Sequence, residues 1–338
     1  MGALSHSLRA TRRAFLVTLA GLLATGPRAG RAQPAARVAR IGYLSPSLAA
    51  APGNHQAFVR GLLDLGYVEG RDVVIEYRDA AGRSERFPAL AAELVAAKVD
   101  VIVAPTTLGA LAARGATRAV PIVFATAGDP VSSGLVTSLA RPGGNATGLS
   151  IIAPELVAKR LELLTLVVPG VSRVAILWQP GAMGERMDAD MLKEADVAVR
   201  ALGLRLLRVE AREPADLERA FAEMARGRAG AVSVLGSTMF SNERRRLVEL
   251  TARARLPAVY TSREFVEAGD LMAYGPNVAE MYRRAAGYVD RILKGAVPAE
   301  LPVEQASKFE LLINLRTART LGLTIPPSLL QRADQVIE

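Results

Sequence analysis

Side chains able to do covalent chemistry are scarce in this chain. It has no cysteine, and beyond residue 32 a single histidine, His55, remains. Thiolate nucleophiles, disulfides and His–Cys or paired-His metal sites are thereby excluded. No G-x-S-x-G elbow occurs, nor a G-x-G-x-x-G after the first strand. "GGNATGL" (143–149) has the glycine spacing of a phosphate loop, but Leu149 stands where a lysine is required, so it reads as a turn. With no nucleophile–base set, no catalytic residue, cofactor or metal is assigned, and an enzyme is not expected.

What recurs is small polar residues where apolar runs end. "RVARIGYLS" (37–45), "DVVIEYR" (72–78), "VDVIVA" (99–104) and "PIVFA" (121–125) read as strands. Helical patterns separate them, such as "HQAFVRGLLDLGY" (55–67) with Phe58, Leu62 and Leu65 on one face. Near-continuous apolar strands alternating with helices indicate a parallel sheet covered on both faces. The exits of these strands carry Ser45 and Ser47, Pro105-Thr106-Thr107, and Thr126 to Asp129.

The second half repeats this order. "SRVAILWQP" (172–180) mirrors "ARIGYLSP" (39–46), and "LPAVYTSREF" (256–265) mirrors "VPIVFATAGD" (120–129). Four such anchors are offset by 131 to 137 residues, which gives two similar lobes. The second-lobe exits carry Trp178 and Gln179, "GSTMF" with Ser237, Thr238 and Phe240, and "TSREF" with Arg263; Tyr274 ends the later strand "DLMAYG" (270–275). Ligands of open parallel sheets bind outside the carboxyl ends of the strands, where helix N-termini favour anions. For each hydroxyl alone, capping its own helix is the plainer role.

The overall charge of +9 and pI of about 10.2 are uneven along the chain. Residues 1–40 hold seven arginines and no acid; residues 1–32 carry five of them, which leaves a mild +4 and no basic stripe, so nucleic-acid binding is not expected. "TRRAFLVTLAGLLATG" (11–26) pairs Arg12 and Arg13 with an apolar run of roughly 12 residues, too short to span a bilayer. It is similar to a twin-arginine export signal, although Val17 departs from the pattern and Sec export stays open. Residues 1–32 are therefore expected to be a signal peptide and the mature chain to be periplasmic. Without a cysteine, a lipoprotein anchor is excluded.

"GLLDLGYVEGRDVVIEYRDAAGRSERFPALAAELVAAKVDVIVA", "VFATAGDPVSSGLVTSLARPGGNATGLS", "KRLELL", "REFVEAGDLMAYGPN" and "KFELLINLRTARTLGLTIPPSLLQRADQVIE" resemble ABC-transporter substrate-binding proteins whose better-known members bind tryptophan and other aromatic amino acids. The resemblance covers residues 38–338. It implies an α/β, type I periplasmic binding fold: two Rossmann-like lobes with parallel sheets, joined by three crossover strands, trapping a small molecule between them. An inner-membrane ABC permease is the implied partner, and a monomer is expected. The expected lobes are 38–150 with 270–298, and 151–265 with 305–338, with hinges near 148–154, 261–270 and 298–308.

For an amino-acid-like ligand, Asp129 fits the ammonium, unless it braces its own loop before Pro130. Ser45, Thr106 and Thr107 fit the carboxylate, with Ser237 and Thr238 opposite. Trp178, the only tryptophan, stacks on a ligand ring or packs in the core; Phe240 is a weaker stacking candidate. Ser47, Pro105, Thr126, Arg263 and Tyr274 complete the expected lining. A receptor that presents its ligand to a membrane signalling partner is the alternative, and an exported α/β enzyme a more distant one.

Overall fold

The computed structural model describes residues 38–151 and 153–338. The expected export signal over 1–32 lies outside them, as does Ile152 within the first expected hinge. The first half runs β1 (Ala39–Ser45), α1 (Pro52–Asp64), β2 (Val73–Asp79), α2 (Phe87–Ala96), β3 (Val101–Val103), α3 (Thr107–Ala116), β4 (Ile122–Ala127) and β5 (Ala146–Ser150). The second runs α4 (Ala153–Val167), β6 (Arg173–Trp178), α5 (Glu185–Ala201), β7 (Arg205–Glu210), α6 (Leu217–Arg226) and β8 (Ala231–Val234). It continues with α7 (Thr238–Asn242), α8 (Arg244–Ala254), β9 (Ala258–Tyr260), α9 (Arg263–Glu267) and β10 (Met272–Pro276). The last segment holds α10 (Val278–Leu293), β11 (Glu304–Gln305), β12 (Phe309–Asn314), α11 (Leu315–Leu321), α12 (Pro327–Leu330) and β13 (Gln335–Ile337).

These strands form two sheets, ordered β11-β5-β4-β3-β1-β2 and β13-β12-β10-β9-β8-β6-β7. The order β2-β1-β3-β4-β5 recurs as β7-β6-β8-β9-β10, so the internal repeat is structural, and each half is built on five doubly wound parallel strands. Successive strand residues point to opposite faces. Ile41 and Tyr43 of β1 accordingly enter one apolar layer with Phe58 of α1 and Tyr288 of α10, while Leu44 enters the layer under α2. In β6, Val174 and Ile176 pack toward α4 and α5, and Ala175 and Leu177 toward α6 and α8. Gly61 lets α1 lie directly on α10: a Cβ there would come 2.5 Å from the Arg283 carbonyl oxygen.

The chain changes sheet three times, but not everywhere as expected. β5 is in the first sheet and α4 packs in the second lobe, so the first change falls inside 148–154. The strand expected to return to lobe one does not. β10 pairs parallel with β9 and antiparallel with β12, in the second sheet, and only α10 packs on lobe one. The second change therefore lies at Pro276 to Val278, and 261–270 is an interior loop and helix of lobe two. The third lies between β11, on β5, and β12, inside 298–308. The crossings are tied together: Asn277 N–H donates to the Lys308 carbonyl at 3.2 Å, and Ala306 N–H to that of Ser150 at 2.8 Å.

In each lobe a glycine stands on the strand that leads to a crossing. A Cβ at Gly148 on β5 would meet the Phe124 carbonyl oxygen at 1.9 Å, and Gly148 has φ of +145°. A Cβ at Gly275 on β10 would meet the Thr261 carbonyl oxygen at 2.0 Å. Neither position has room for a side chain.

Candidate functional site

The carboxyl ends of both sheets and the helix starts that follow them enclose one cavity of about 350 Å³. Its first-lobe wall is made by Ser45 and Ser47 after β1, the start of α1 with Asn54 and His55, the start of α3, and Thr126. Thr106 caps α3, its Oγ1 accepting from Gly109 N–H, and Thr107 Oγ1 accepts from Gly128 N–H at 3.0 Å. Tyr43, His55, Phe87 and Tyr282 supply rings. Tyr43 meets His55 edge-on at 5.2 Å, and His55 Nε2 lies 3.1 Å from the Tyr77 hydroxyl. Burial pushes the His55 pKa down, against the pull of Glu69, so the ring is neutral at pH 7. Burial likewise raises the Tyr43 and Tyr282 phenols, which stay protonated.

The second-lobe wall carries Gln179 to Met183 after β6, Gly236 to Met239 after β8, and Thr261, Ser262, Glu264 and Phe265 after β9. Ser237 Oγ accepts from Phe240 N–H at 3.3 Å and donates to the Gln179 side-chain oxygen. Phe265 stacks on Tyr260 with centroids 4.1 Å apart, and the Tyr260 hydroxyl donates to the buried Asp270 at 2.7 Å. Two arginines, Arg160 and Arg244, also line the cavity. Arg160 lies on α4 with 2% of its surface exposed, and Nη1 donates to the Tyr274 carbonyl at 3.2 Å. Burial pushes its pKa down to about 10, so it is still charged at neutral pH.

The lobes touch directly across the cleft. Ser47 Oγ donates to Asn242 Oδ1 at 3.0 Å, and Arg244 Nη1 to the Ala50 carbonyl at 2.7 Å. Arg244 thus leaves the solvated helix surface that its run of three arginines suggests.

Of the expected lining, Ser45, Ser47, Thr106, Thr107, Thr126, Ser237 and Thr238 meet at this cavity, and six others do not. Asp129 spends Oδ1 on the N–H groups of Val131 at 3.0 Å and Ser132 at 2.9 Å, which is the loop-brace role. Burial acts to raise its pKa, but those bonds, the Ser132 hydroxyl and Arg186 outweigh it and hold the carboxylate below its ordinary range. Trp178 packs against the lobe-two core with Met183 and Tyr274, and Phe240 is 1% exposed inside that lobe, so neither stacks in the cavity. Arg263 turns outward to Glu310 at 3.3 Å and Gln335 at 3.0 Å. Pro105 contributes only its carbonyl, to Ala125, Thr126 and the Thr126 hydroxyl. Tyr274 contributes its carbonyl to Arg160 while its ring stacks on Phe309.

Sequence reasoning missed Arg160 and Glu264. The "KRLELL" segment carries the first, but two adjacent basic residues do not announce which is buried. Glu264 sits beside Arg263 in the same strand exit, and their adjacency does not say which of the two faces inward. Among the described residues no cluster of three or more His, Cys, Asp or Glu could hold a metal ion. No described helix is long and apolar enough to cross a membrane.

A family model described as ABC transporter substrate binding protein matches residues 46–337. The tyrosine-binding protein of Clostridioides difficile (strain R20291) is 24% identical over 272 residues, 79% of this chain and 76% of that protein. A crystal structure of the ABC domain in complex with L-Trp from Streptococcus pneumoniae superimposes with a TM-score of 0.81 at 25% identity, covering 89% of this chain and all of that one. A conserved domain protein from Vibrio cholerae gives a TM-score of 0.82 at 28% identity, again over 89% of this chain and all of the other.

Proposed function

The chain belongs to the ABC transporter substrate-binding protein family, a family of solute-binding proteins rather than enzymes, and from that premise we propose that it captures an amino acid with an aromatic side chain. It acts in the periplasm, closes by hinge bending and delivers the solute to an inner-membrane permease. The observation that carries this reading is a cavity shared by both lobes, ringed by aromatic side chains and helix-start hydroxyls and holding one acid, Glu264. A cavity of this size, mostly apolar with a few converging polar groups, suits a small organic solute. The L-Trp and tyrosine ligands named for two relatives are of the same chemical class.

In this reading Glu264 takes the ligand ammonium, the role first assigned to Asp129. Ring contacts come from Tyr43, His55, Phe87, Tyr282 and Phe265. The ligand touches both lobes only when they are together, so binding stabilises the closed state selectively. The direct contacts of Ser47 and Arg244 across the cleft add to that state without ligand.

A thermal-shift screen tests the reading. L-Tyrosine, L-tryptophan and L-phenylalanine at about a hundred times Kd should raise the unfolding midpoint by on the order of 5 °C. Sugars and purines should leave it unchanged. A shift produced by a sugar and by no amino acid would reject the ligand class.

A further inference from the structure

We infer that Arg160 is the receptor for an anionic group of the bound solute, and that a free carboxylate is therefore required of any ligand. This rests on the reading of the shared cavity as the solute site and goes beyond it in naming the group that must be present and the side chain that demands it.

Arginine is rarely taken out of water without an acid to meet it, because an uncompensated buried charge is strongly unfavourable. Arg160 departs from this rule. It is 2% exposed, yet among the described residues no carboxylate forms an ion pair with it. Its Nε is buried and has no hydrogen-bond partner, and Nη1 has one neutral acceptor, the Tyr274 carbonyl. The adjacent Lys159 is instead paired with Glu162 at 2.8 Å. Arg160 nevertheless lines the cavity, as does Leu156 one turn earlier on the same helix. A planar fork of donors, desolvated beside a cavity and with its Nε unpartnered, matches a carboxylate.

Two further features fit the same occupant. The first turns of α1, 13 residues long, and α3, 10 residues long, reach the cavity from lobe one, and their positive ends add to the field. Among the described residues Glu264 is the only acid in the wall, and no ion pair joins it to Arg160. Arg244, the other cation of the wall, donates to the Ala50 and Ser241 carbonyls, which leaves Arg160 and Glu264 as opposite charges in one cavity that do not neutralise each other. A zwitterion spanning them satisfies both, and Arg160 and Glu264 both belong to lobe two, so that lobe fixes the ligand's polar end.

The competing role is a brace for the Tyr274 carbonyl beside the second crossing. Calorimetric titration separates the two. Wild type is titrated with L-tyrosine, its methyl ester and tyramine, and then the Arg160→Gln and Arg160→Lys variants with the same three. Wild type should bind the acid at least 100-fold more tightly than the ester or amine. R160Q should lose at least 100-fold for the acid and less than threefold for tyramine, so that the discrimination collapses; R160K should keep part of it. A brace would lower the unfolding midpoint of every ligand-free variant and leave the acid-to-amine ratio intact, which overturns the inference while the function stands. Ester and acid binding wild type equally well overturns it without any variant, should R160Q fail to fold. Wild type that binds none of the three but is stabilised by a sugar rejects the proposed function itself, and Arg160's role with it.

Discussion

The two lobes share one strand order, but they face the cavity with different chemistry. Lobe one presents rings and hydroxyls, and its only titratable cation there, His55, is neutral at pH 7. Its hydroxyls are tied to their own backbone, as when Thr106 caps α3 and Thr107 holds Gly128. Lobe two presents the formal charges Arg160, Arg244 and Glu264. Duplicating the scaffold has therefore not duplicated the site. One wall contributes mainly shape and the other charge, and a solute held between them would meet both.

What the lobes do share is backbone geometry at the exits to the crossings, and the largest expected effect tests it. Gly148→Ala would place a methyl group 1.9 Å from the Phe124 carbonyl oxygen, and Gly275→Ala one 2.0 Å from that of Thr261. Each clash involves backbone in a strand pair, which cannot swing aside. Each variant should lose more than about 3 kcal/mol of stability. Chemical denaturation checks this, and a wild-type midpoint in either variant would mean that the strand exits are not equivalent.

A deeply buried acid of lobe two, which among the described residues lacks the ion pair that Asp290 of lobe one makes with Lys294, comes next. Asp270, 3% exposed in lobe two, accepts from the Thr251 and Tyr260 hydroxyls, each at 2.7 Å, and from Leu271 N–H at 2.7 Å. Burial raises its pKa from 3.8 to about 6, although those three donors pull the other way. A raised folded pKa means the native state binds the proton more tightly. The contribution is complete below about pH 3.8 and is lost as pH rises through about 6. Surface acids such as Asp216 and Glu218, held low by hydrogen bonds from Arg219 and Arg246, act in the opposite sense. Comparison with Asp270→Asn isolates the term. Between pH 4 and pH 7 wild type should lose roughly 2–3 kcal/mol relative to D270N. Parallel pH profiles for the two proteins would show that this carboxyl does not titrate in that window.

Glu264 tests the division of labour within the cavity. Glu264→Gln keeps the shape of the wall and removes the only acid in it. A charge-assisted hydrogen bond contributes roughly 1.5–3 kcal/mol, so an amino acid should bind about 10- to 100-fold more weakly. An amino acid lacking its ammonium, such as a phenylpropionate, should be little affected. Equal losses for both ligands would mean that Glu264 shapes the wall rather than selecting charge.

Most of the scaffold was legible because it rests on local signals. Apolar runs of strand length, glycine and proline between them, and a near-constant shift of 131 to 137 residues specify two parallel sheets. The hydroxyls at the strand exits follow from the same topology. The placement of β10 was not legible, since "LMAYG" reads as a strand for either sheet. Its partner β12 follows it by more than thirty residues and runs antiparallel, and no local pattern encodes that pairing. The charged half of the site was hidden for a related reason. Lys159 and Arg160 are adjacent on one helix, as are Arg263 and Glu264 on another, and which member of each pair faces the cavity depends on how the helix is rotated against its sheet.

Asp129 should give the smallest effect, and a telling one because its position at a strand exit made it the obvious ligand group. Its Oδ1 already accepts two backbone N–H groups of its own loop, and it does not line the cavity. In Asp129→Asn the amide oxygen can accept the same two bonds. Ligand affinity should change by less than about twofold, while the unfolding midpoint falls slightly as charge-assisted bonds become neutral ones. Titration of D129N beside E264Q with one amino acid then ranks the two carboxylates directly. A loss at D129N as large as that at E264Q would return charge selection to lobe one and undo the contrast between the walls.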